Sequence, residues 1–371
     1  MQLRYSFRLY PTGGQRQALA RAFGCARVVF NDALRTREDA RQAGLPSVKA
    51  AELSAAMAAA KKTPERSWLG EVSSVVLQQS LRDLEAAYRA FFDGLAGKRP
   101  RVGAPRFKSR KDRRQSIRFT ANARWSITNG GKLSLPKVGD VAVRWSRRLP
   151  CTPSTVTVIK DAAGRFFCSF VVETADVPDP PDTSSQIGID LGLEHFAITS
   201  DGRKIDSPRF LRRAEKKLRK AQRGLSRKQK GSANRDKARL QVARTHAKVA
   251  DARREFHHRL STELARDNQA VYVETLSVKG LARTRLAKSV HDAGWSAFTG
   301  MLEYKTRRYG RTFVRVDRTF ASSQICSQCG HRDGPKSLQV RQWACEQCGA
   351  DHDRDVNAAR NILDQGRRIT T

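Results

Sequence analysis

Four cysteines near the C-terminal end of the chain have the spacing of a metal site. Cys326 and Cys329 form one Cys-x2-Cys pair, and after fifteen intervening residues Cys345 and Cys348 form a second. Four thiolates at this spacing close a tetrahedral site around Zn²⁺. Because protein ligands fill all four positions, we expect one structural zinc ion and no open position for a catalytic water.

Three acidic residues, far apart in the chain, indicate a second metal site with oxygen ligands. Asp190 and Glu274 each end an apolar strand pattern, and Asp355 lies in the first turn of a predicted helix. The glycines that flank Asp190 are expected to keep side chains away from its carboxylate. If the acids converge, divalent cations relieve their repulsion, and carboxylates suit Mg²⁺ or Mn²⁺. Two such ions about 4 Å apart activate a water and stabilise the leaving 3′-oxygen in phosphodiester hydrolysis.

Each of these acids also has a simpler interpretation. An Asp after a strand is commonly a turn or cap residue. Asp353 is well placed as the N-cap of the last helix, and it is also the alternative to Asp355 as the third metal ligand. The three acids taken together, in a strongly basic chain, favour the metal site.

The second half of the chain contains the strands and helices that would position the acids. Apolar runs predict strands at 187–190, 196–199, 270–273 and 312–316. Between the second and the third of these strands, apolar residues at intervals of three, four and seven predict a long antiparallel helical hairpin at about 206–267. Acids at the tips of adjacent strands and at the start of a helix can then meet at one edge of a sheet.

In the first half, strand patterns surround a helical segment. Residues 3–9 alternate between apolar and polar types, and residues 15–97 have helical spacing with breaks at 44–47 and 63–67. Several short strand patterns follow within 116–172. We therefore expect an α+β multidomain fold in which the N-terminal strand completes a small β-barrel and the helices are an insertion within it.

The charge balance is strongly one-sided. The 371 residues include 71 Lys or Arg and 36 Asp or Glu, which gives a formal net charge of +35. Such an excess repels itself unless a polyanion neutralises it, so nucleic acid is the expected partner. The segment 98–118 is a basic loop with an embedded aromatic residue, and its candidate phosphate-binding residues are Arg106, Lys108 and Arg110.

The composition argues against a membrane or secreted protein. The apolar fraction is 39%, and no run approaches the roughly 18 apolar residues of a membrane-spanning helix. The N-terminus has a strand pattern in place of the layout of a signal peptide. Cysteines at metal spacing fit a reducing compartment, so we expect a cytoplasmic protein without a membrane partner.

Seven segments, in a fixed order, together resemble one known family over nearly the whole chain. They are YSFRLYPTGGQRQAL, GAPRFKSR, GIDLGLEHFA, VYVETLSVKGL, FASSQICSQCG, WACEQCG and HDRDVNAARNIL. This set looks like the TnpB proteins of insertion sequences, the compact relatives of type V CRISPR effectors.

The resemblance implies an RNA-guided DNA endonuclease with a RuvC-like, RNase H-type fold, in a bacterial or archaeal cell and near its nucleoid. A guide RNA from the transposon end would pair with one strand of a double-stranded target DNA, next to a short flanking motif. Asp190, Glu274 and Asp355 match the three catalytic acids, and the four cysteines match the zinc-binding target-nucleic-acid module. Gln78 and Gln79 lie where the family contacts its flanking motif, and their amides can read adenine edges.

The same resemblance divides the chain into domains. The wedge domain would comprise 1–14 and 98–174, with the helical recognition domain, 15–97, inserted in it. After a linker at 175–185, the RuvC-like nuclease domain would comprise 186–319 and 351–371, with the zinc module, 320–350, inserted before the third acid.

Other functions remain possible on the sequence alone. The main alternative is a nuclease-inactive, RNA-guided DNA-binding repressor whose acids are remnants. A transposase that transfers strands without RNA would use the same acids. A zinc-ribbon nucleic-acid chaperone without catalysis is a further candidate.

Overall fold

The computed structural model describes residues 2–112, 114–173, 181, 183–337 and 339–370. The chain divides into two compact units, Met1–Thr174 and Ala175–Thr371. Most of the predicted linker at 175–185 lies outside the described residues. None of the described helices is both long and apolar enough to cross a membrane.

The first unit begins with a strand and then a group of helices, separated near the two predicted breaks. The apolar stripe of the last helix in this group is buried, as its periodicity predicts, at Leu77, Leu81 and Leu84. The helices are α1 (Gly13–Gln42), α2 (Ala50–Ala60) and α3 (Ser74–Leu95), with a short 3-10 helix at Ser67–Glu71.

Seven strands of the first unit form one antiparallel sheet. They are β1 (Gln2–Tyr10), β2 (Gln115–Thr120), β3 (Ser126–Ile127), β4 (Leu133–Leu135), β5 (Gly139–Arg144), β6 (Thr155–Lys160) and β7 (Phe166–Glu173). Their order is β2-β6-β7-β1-β5-β4-β3, so the N-terminal strand lies inside the sheet. In the described part of the chain β2 does not pair with β3, which is only two residues long and exposed. The expected barrel is therefore an open sheet.

The second unit contains a five-stranded mixed sheet. Its strands are β8 (Gln186–Asp190), β9 (His195–Thr199), β10 (Lys204–Asp206), β11 (Ala270–Glu274) and β12 (Thr312–Val316), in the order β10-β9-β8-β11-β12. β11 is parallel to both of its neighbours, whereas β9 and β10 continue the sheet in antiparallel fashion. The carboxyl ends of β8 and β11 thus lie at the same edge.

Helices cover both faces of this sheet. Val271 and Val273 point to one face and pack in a core with Phe298, whereas Tyr272 points to the other and packs with Ile362. This alternation is the two-residue period of a strand buried on both sides. The helices are α4 (Phe210–Ser226), α5 (Ala233–Asp267), α6 (Val278–Leu281), α7 (Ala287–Ala293), α8 (Trp295–Arg308) and α9 (Arg354–Thr370). A small antiparallel pair, β13 (Gln342–Ala344) and β14 (Asp351–Asp353), precedes α9.

His257 on α5 is a titratable group in the core of the second unit. It is 1% exposed, and its Nε2 donates to the carbonyl oxygen of Ala293 at 2.9 Å. The rings of Phe196 and Phe298 lie 5.4 and 5.8 Å away. Burial lowers the pKa of His257 from 6.5 to about 4, so the folded state keeps the imidazole neutral at pH values where the unfolded chain is protonated.

Acidification should therefore destabilise the second unit. Because the pKa of His257 is lower in the folded state, the unfolded state binds more protons as the pH falls from 6.5 toward 4. We expect the free energy of unfolding, measured by chemical denaturation, to be about 2 kcal/mol lower at pH 5 than at pH 7.5 from this group alone. His257→Gln should remove this part of the pH dependence, and His246→Gln, at an exposed position of the same helix, should not. An unchanged pH dependence in His257→Gln would contradict the assignment.

Candidate active site

The three predicted acids belong to elements that meet at one edge of the five-stranded sheet. Ile189 is the register partner of Val273, so Asp190 and Glu274 come next at the ends of two parallel strands. Asp355 lies in the first turn of α9, which packs against β8 and β11. The structure thus brings together residues that are more than 80 positions apart in the chain.

Gly188 allows α9 to lie close to β8. A Cβ atom on this glycine would be 2.1 Å from the carbonyl oxygen of Ala359 and 2.7 Å from the amide nitrogen of Leu363. Ala359 lies one helical turn after Asp355, so both face the sheet. Because side chains two residues apart share a strand face, α9 covers the face that carries Asp190. The sequence predicts a different role for Gly188, namely to keep bulk away from the carboxylate.

Gly188→Ala should therefore displace α9 from the sheet. Overpacking of this kind should lower the free energy of unfolding by about 1 to 3 kcal/mol. Because Asp355 moves with the helix, added Mg²⁺ should also raise the melting temperature of this variant less than that of the wild type. Thermal unfolding with and without Mg²⁺ measures both effects. The matched control is Gly300→Ala on α8, where a new Cβ meets nothing within 4 Å. Equal behaviour of the two variants would contradict the close approach of α9.

The carboxyl groups of Asp190 and Glu274 form a half-buried, hydrogen-bonded pair. Burial, followed by the negative charges of Glu274 and Asp355, raises the pKa of Asp190 well above its usual range. Burial also raises the pKa of Glu274, whose Oε1 accepts the Leu191 N–H at 2.9 Å. Both shifts favour a protonated pair in the absence of a cation. A divalent cation that displaces this proton would supply the charge that the pair lacks.

Asp353 and Asp355 have different environments. Oδ1 of Asp353 accepts the N–H groups of Asp355 and Val356, each at 3.1 Å, which is the predicted N-cap arrangement. Its Oδ2 pairs with Lys204 Nζ at 2.6 Å. Both oxygens of Asp353 are thus engaged, whereas the charge of Asp355 acts on Asp190. The geometry favours Asp355 as the third acid of the cluster.

A cleft of about 690 Å³ opens above the acids, lined by Asp190 and Asp355 among others. Arg341, on the same cleft, pairs with Asp355 at 3.3 Å and with Glu194 at 2.5 Å. Sequence reasoning missed Arg341, because no pattern distinguishes it from the other basic residues of the chain. The only feature of the sequence that could have indicated a role for Arg341 is its position between the two cysteine pairs and shortly before the third acid.

The four cysteine sulfurs are arranged as a tetrahedral ion requires. All four Sγ atoms lie within 4.8 Å of one another. Cys326 and Cys348 are 3.7 Å apart, as are Cys329 and Cys345. Zinc–sulfur bonds of about 2.3 Å at tetrahedral angles place sulfurs about 3.8 Å apart, so this donor set fits Zn²⁺.

Two equivalent turns shape the cysteine cluster. Gly330, at φ 77°, donates its N–H to the carbonyl oxygen of Cys326, and Gly349, at φ 70°, donates to that of Cys345, both at 2.9 Å. A positive φ is accessible to glycine without steric cost, which explains a glycine after each cysteine pair. The buried His352 places Nε2 3.0 Å from the Cys326 sulfur.

The cysteine segment is hydrogen-bonded to the helix that carries Asp355. Asn357 accepts the Ser327 N–H at 2.8 Å and donates to the Ile325 carbonyl oxygen at 2.7 Å. Asn361, one turn later, donates to the same oxygen at 2.6 Å. The fold of the cysteine segment therefore helps to set the position of the start of α9.

The two glutamines predicted to read DNA bases do not lie on one surface. Gln78 is exposed on α3, whereas Gln79 is only 5% exposed. Gln79 lines a small pocket of about 130 Å³ together with Lys108. Base reading remains a prediction for Gln78, and the burial of Gln79 argues against direct contact with DNA by that residue.

The predicted phosphate-binding residues of the basic loop also differ in exposure. Arg106 and Arg110 are exposed, as a phosphate contact requires. Lys108 is half-buried, with its Nζ 3.8 Å from the ring centre of Phe30, and burial lowers its pKa. Its backbone exchanges hydrogen bonds with the Asn31 side chain at 2.8 and 2.9 Å. Lys108 therefore anchors the loop to α1.

Comparison with known proteins places this chain in a family. A family model described as "Probable transposase" matches residues 169–285, one described as "Cas12f1-like, TNB domain" matches 295–362, and one described as "Helix-turn-helix domain" matches 1–45. A Streptomyces pristinaespiralis protein named "Putative RNA-guided DNA endonuclease" is 47% identical over 98% of this chain and 89% of its own length. The chain belongs to the TnpB family.

Further relatives agree with this membership. The TnpB family relative InsQ of Escherichia coli K12, named "Putative RNA-guided DNA endonuclease InsQ", is 30% identical over 98% of this chain and 92% of its own length. A solved complex of Cas12f1 with single guide RNA and target DNA contains a chain with a similar fold, at a TM-score of 0.57 and 14% identity. The similarity covers 94% of this TnpB chain and 82% of that chain, and it supports the α+β multidomain fold.

Proposed function

We propose that this protein is an RNA-guided DNA endonuclease that hydrolyses phosphodiester bonds with Mg²⁺ or Mn²⁺. The observation that supports this most directly is the half-buried cluster of Asp190, Glu274 and Asp355 at one sheet edge, in a chain with a net charge of +35. Such a cluster is unfavourable unless cations neutralise it, and DNA is a partner that the remaining charge favours. The names of the two relatives fit the same activity.

The chain's own residues would act as follows. Asp190 and Glu274 present oxygens from the two strand ends, and Asp355 presents its carboxylate from α9. These three carboxylates would hold the divalent cations and give up the proton of the Asp190–Glu274 pair on binding them; cations held there would supply activation of a water and stabilisation of the leaving 3′-oxygen. Arg341 neutralises part of the charge of Asp355 and limits the positions of its carboxylate. The open cleft gives a DNA strand access to these oxygens.

The remaining parts have roles that this proposal assigns by resemblance. The second unit would be a RuvC-like domain, and the four-cysteine segment its target-nucleic-acid module with one structural Zn²⁺. In the first unit, α1 to α3 would form the recognition domain and the seven-stranded sheet the wedge domain. The guide RNA would derive from the transposon end, and its duplex with the target strand would be held by shape and charge.

The decisive experiment uses the protein purified together with its copurified RNA. That RNA is sequenced to define the guide segment, and the complex is then incubated in Mg²⁺ with plasmids that carry the matching target next to randomised flanking bases. We expect cleavage of the subset that shares one short flanking motif. Plasmids with an unrelated target are the control.

Two results would overturn the proposal. A complex that contains a discrete RNA and binds the matching plasmid, but leaves it intact in Mg²⁺ and in Mn²⁺, would establish a repressor. A preparation that joins transposon-end DNA without any RNA would establish a transposase.

A further inference from the structure

A buried carboxylate outside the acid cluster also lines this cleft. Asp292, at the end of α7, has a side chain that is 5% exposed. Its oxygens accept the Leu211 N–H at 2.9 and 3.0 Å and the Arg212 N–H at 3.3 Å, at the start of α4. Arg253 of α5 donates to it at 3.0 Å. Asp292 thus caps the N-terminus of α4, although it lies 80 residues after Arg212 in the sequence.

The residue before α4 adopts a conformation that this cap helps to hold. Arg209 has φ 46° and ψ 46°, a left-handed conformation that is strained for a non-glycine residue. No side chain of α4's own N-terminal segment caps the helix. The first turn of α4 therefore depends on Asp292 for both its hydrogen bonds and its direction.

Two arginines at this turn line the cleft that contains Asp190 and Asp355. They are Arg209 and Arg212, both exposed. Within the described residues neither forms an ion pair with an acid, and the Arg212 guanidinium is directed by a hydrogen bond to Ser289 Oγ at 3.0 Å. Two guanidinium groups without acidic ion-pair partners, on the cleft that Asp190 and Asp355 also line, suit the phosphates of a nucleic-acid strand.

We propose that Arg209 and Arg212 bind phosphates of the DNA strand that enters the acidic cleft, and that Asp292 is a positioning residue that orients them. This inference rests on the proposed nuclease function, and it identifies the residues that hold the strand against the acids. Asp292 acts only through the helix start that it caps.

The test is single-turnover cleavage of target plasmid by the RNA-bound protein in Mg²⁺. Because each variant loses a charge-assisted hydrogen bond to phosphate, Arg212→Ala should slow cleavage by about tenfold or more and the double variant Arg209→Ala/Arg212→Ala by about a hundredfold. Arg212→Lys should recover part of the rate. Arg307→Ala on α8, which removes an exposed guanidinium that pairs with Glu303, is the charge-matched control and should cut normally.

Asp292→Asn distinguishes positioning from a general structural role. It keeps the shape of the side chain, and we expect it to slow cleavage by about tenfold in the wild-type background and to have no further effect in the Arg209→Ala/Arg212→Ala background. An additive effect, or a double arginine variant that cuts at the wild-type rate, would overturn the inference.

A second measurement separates this inference from the proposed function. If the wild-type complex cuts no target, the proposed function fails. The arginines are then tested by the salt dependence of binding to a short single-stranded DNA, whose slope should become shallower by about 0.7 for each phosphate contact that is lost. An unchanged slope in the double arginine variant would overturn the inference by itself.

Discussion

Asp190→Asn is expected to slow target cleavage by at least about 10³-fold without weakening the fold. The amide keeps the shape of the carboxyl group and can donate to Glu274 in place of the shared proton, but it removes a ligand of the expected cations. Because the wild-type pair is half-buried and the pKa of Asp190 is strongly raised, the protein with the neutral amide should be at least as stable in the absence of metal. Single-turnover cleavage and thermal unfolding measure the two effects.

Added Mg²⁺ provides a second readout for the same variant. The ion should raise the melting temperature of the wild-type protein, since it binds the folded acid cluster, and should raise that of Asp190→Asn much less. Asp364→Asn, at a half-exposed carboxylate on α9 that pairs with Arg367, is the matched control and should resemble the wild type in both assays. Cleavage by Asp190→Asn at the wild-type rate would show that the acid cluster is not the catalytic site.

Local patterns in the sequence predicted the elements that carry the site. The strands that end in Asp190 and Glu274 are observed, because a run of apolar residues that is buried on both faces is a strong signal. Asp353 was recognisable as an N-cap for the same reason, since capping depends on residues three positions apart at most. The sequence also predicts that the three acids converge, because two of them end adjacent strands and the third begins a helix at the same edge of the sheet.

Contacts between distant segments could not be predicted in the same way. Gly188 is small because Ala359 approaches it, and nothing near Gly188 in the sequence indicates a helix 170 residues later. Asp292 lies in a short helix that the periodicity did not reveal, and its partners are on α4 and α5. Gln79 is likewise buried, and it lines one pocket with Lys108 of the basic loop, which lies 29 positions later in the chain. The roles of these residues come from tertiary contacts, which the local sequence pattern does not contain.

Loss of one buried cysteine should unfold the zinc segment and reduce catalysis with it. The apolar core of this segment consists of Cys326, Trp343 and Cys345, which is too little to fold some thirty residues by burial. Metal binding to such sites contributes about 10 to 16 kcal/mol. Cys345→Ser should therefore lower the bound zinc from about one ion per chain to nearly none, as measured by elemental mass spectrometry.

Cleavage should fall along with the zinc content, because the segment holds the start of α9 through Asn357 and Asn361. We expect a decrease of about a hundredfold at saturating Mg²⁺, the effect of a misplaced catalytic group. Cys151→Ser, at an exposed thiol of the first unit, should keep both zinc and activity. If Cys345→Ser loses its zinc but cuts at the wild-type rate, the hydrogen bonds to α9 do not position Asp355. If it keeps one zinc per chain, the four thiols are not the ligand set.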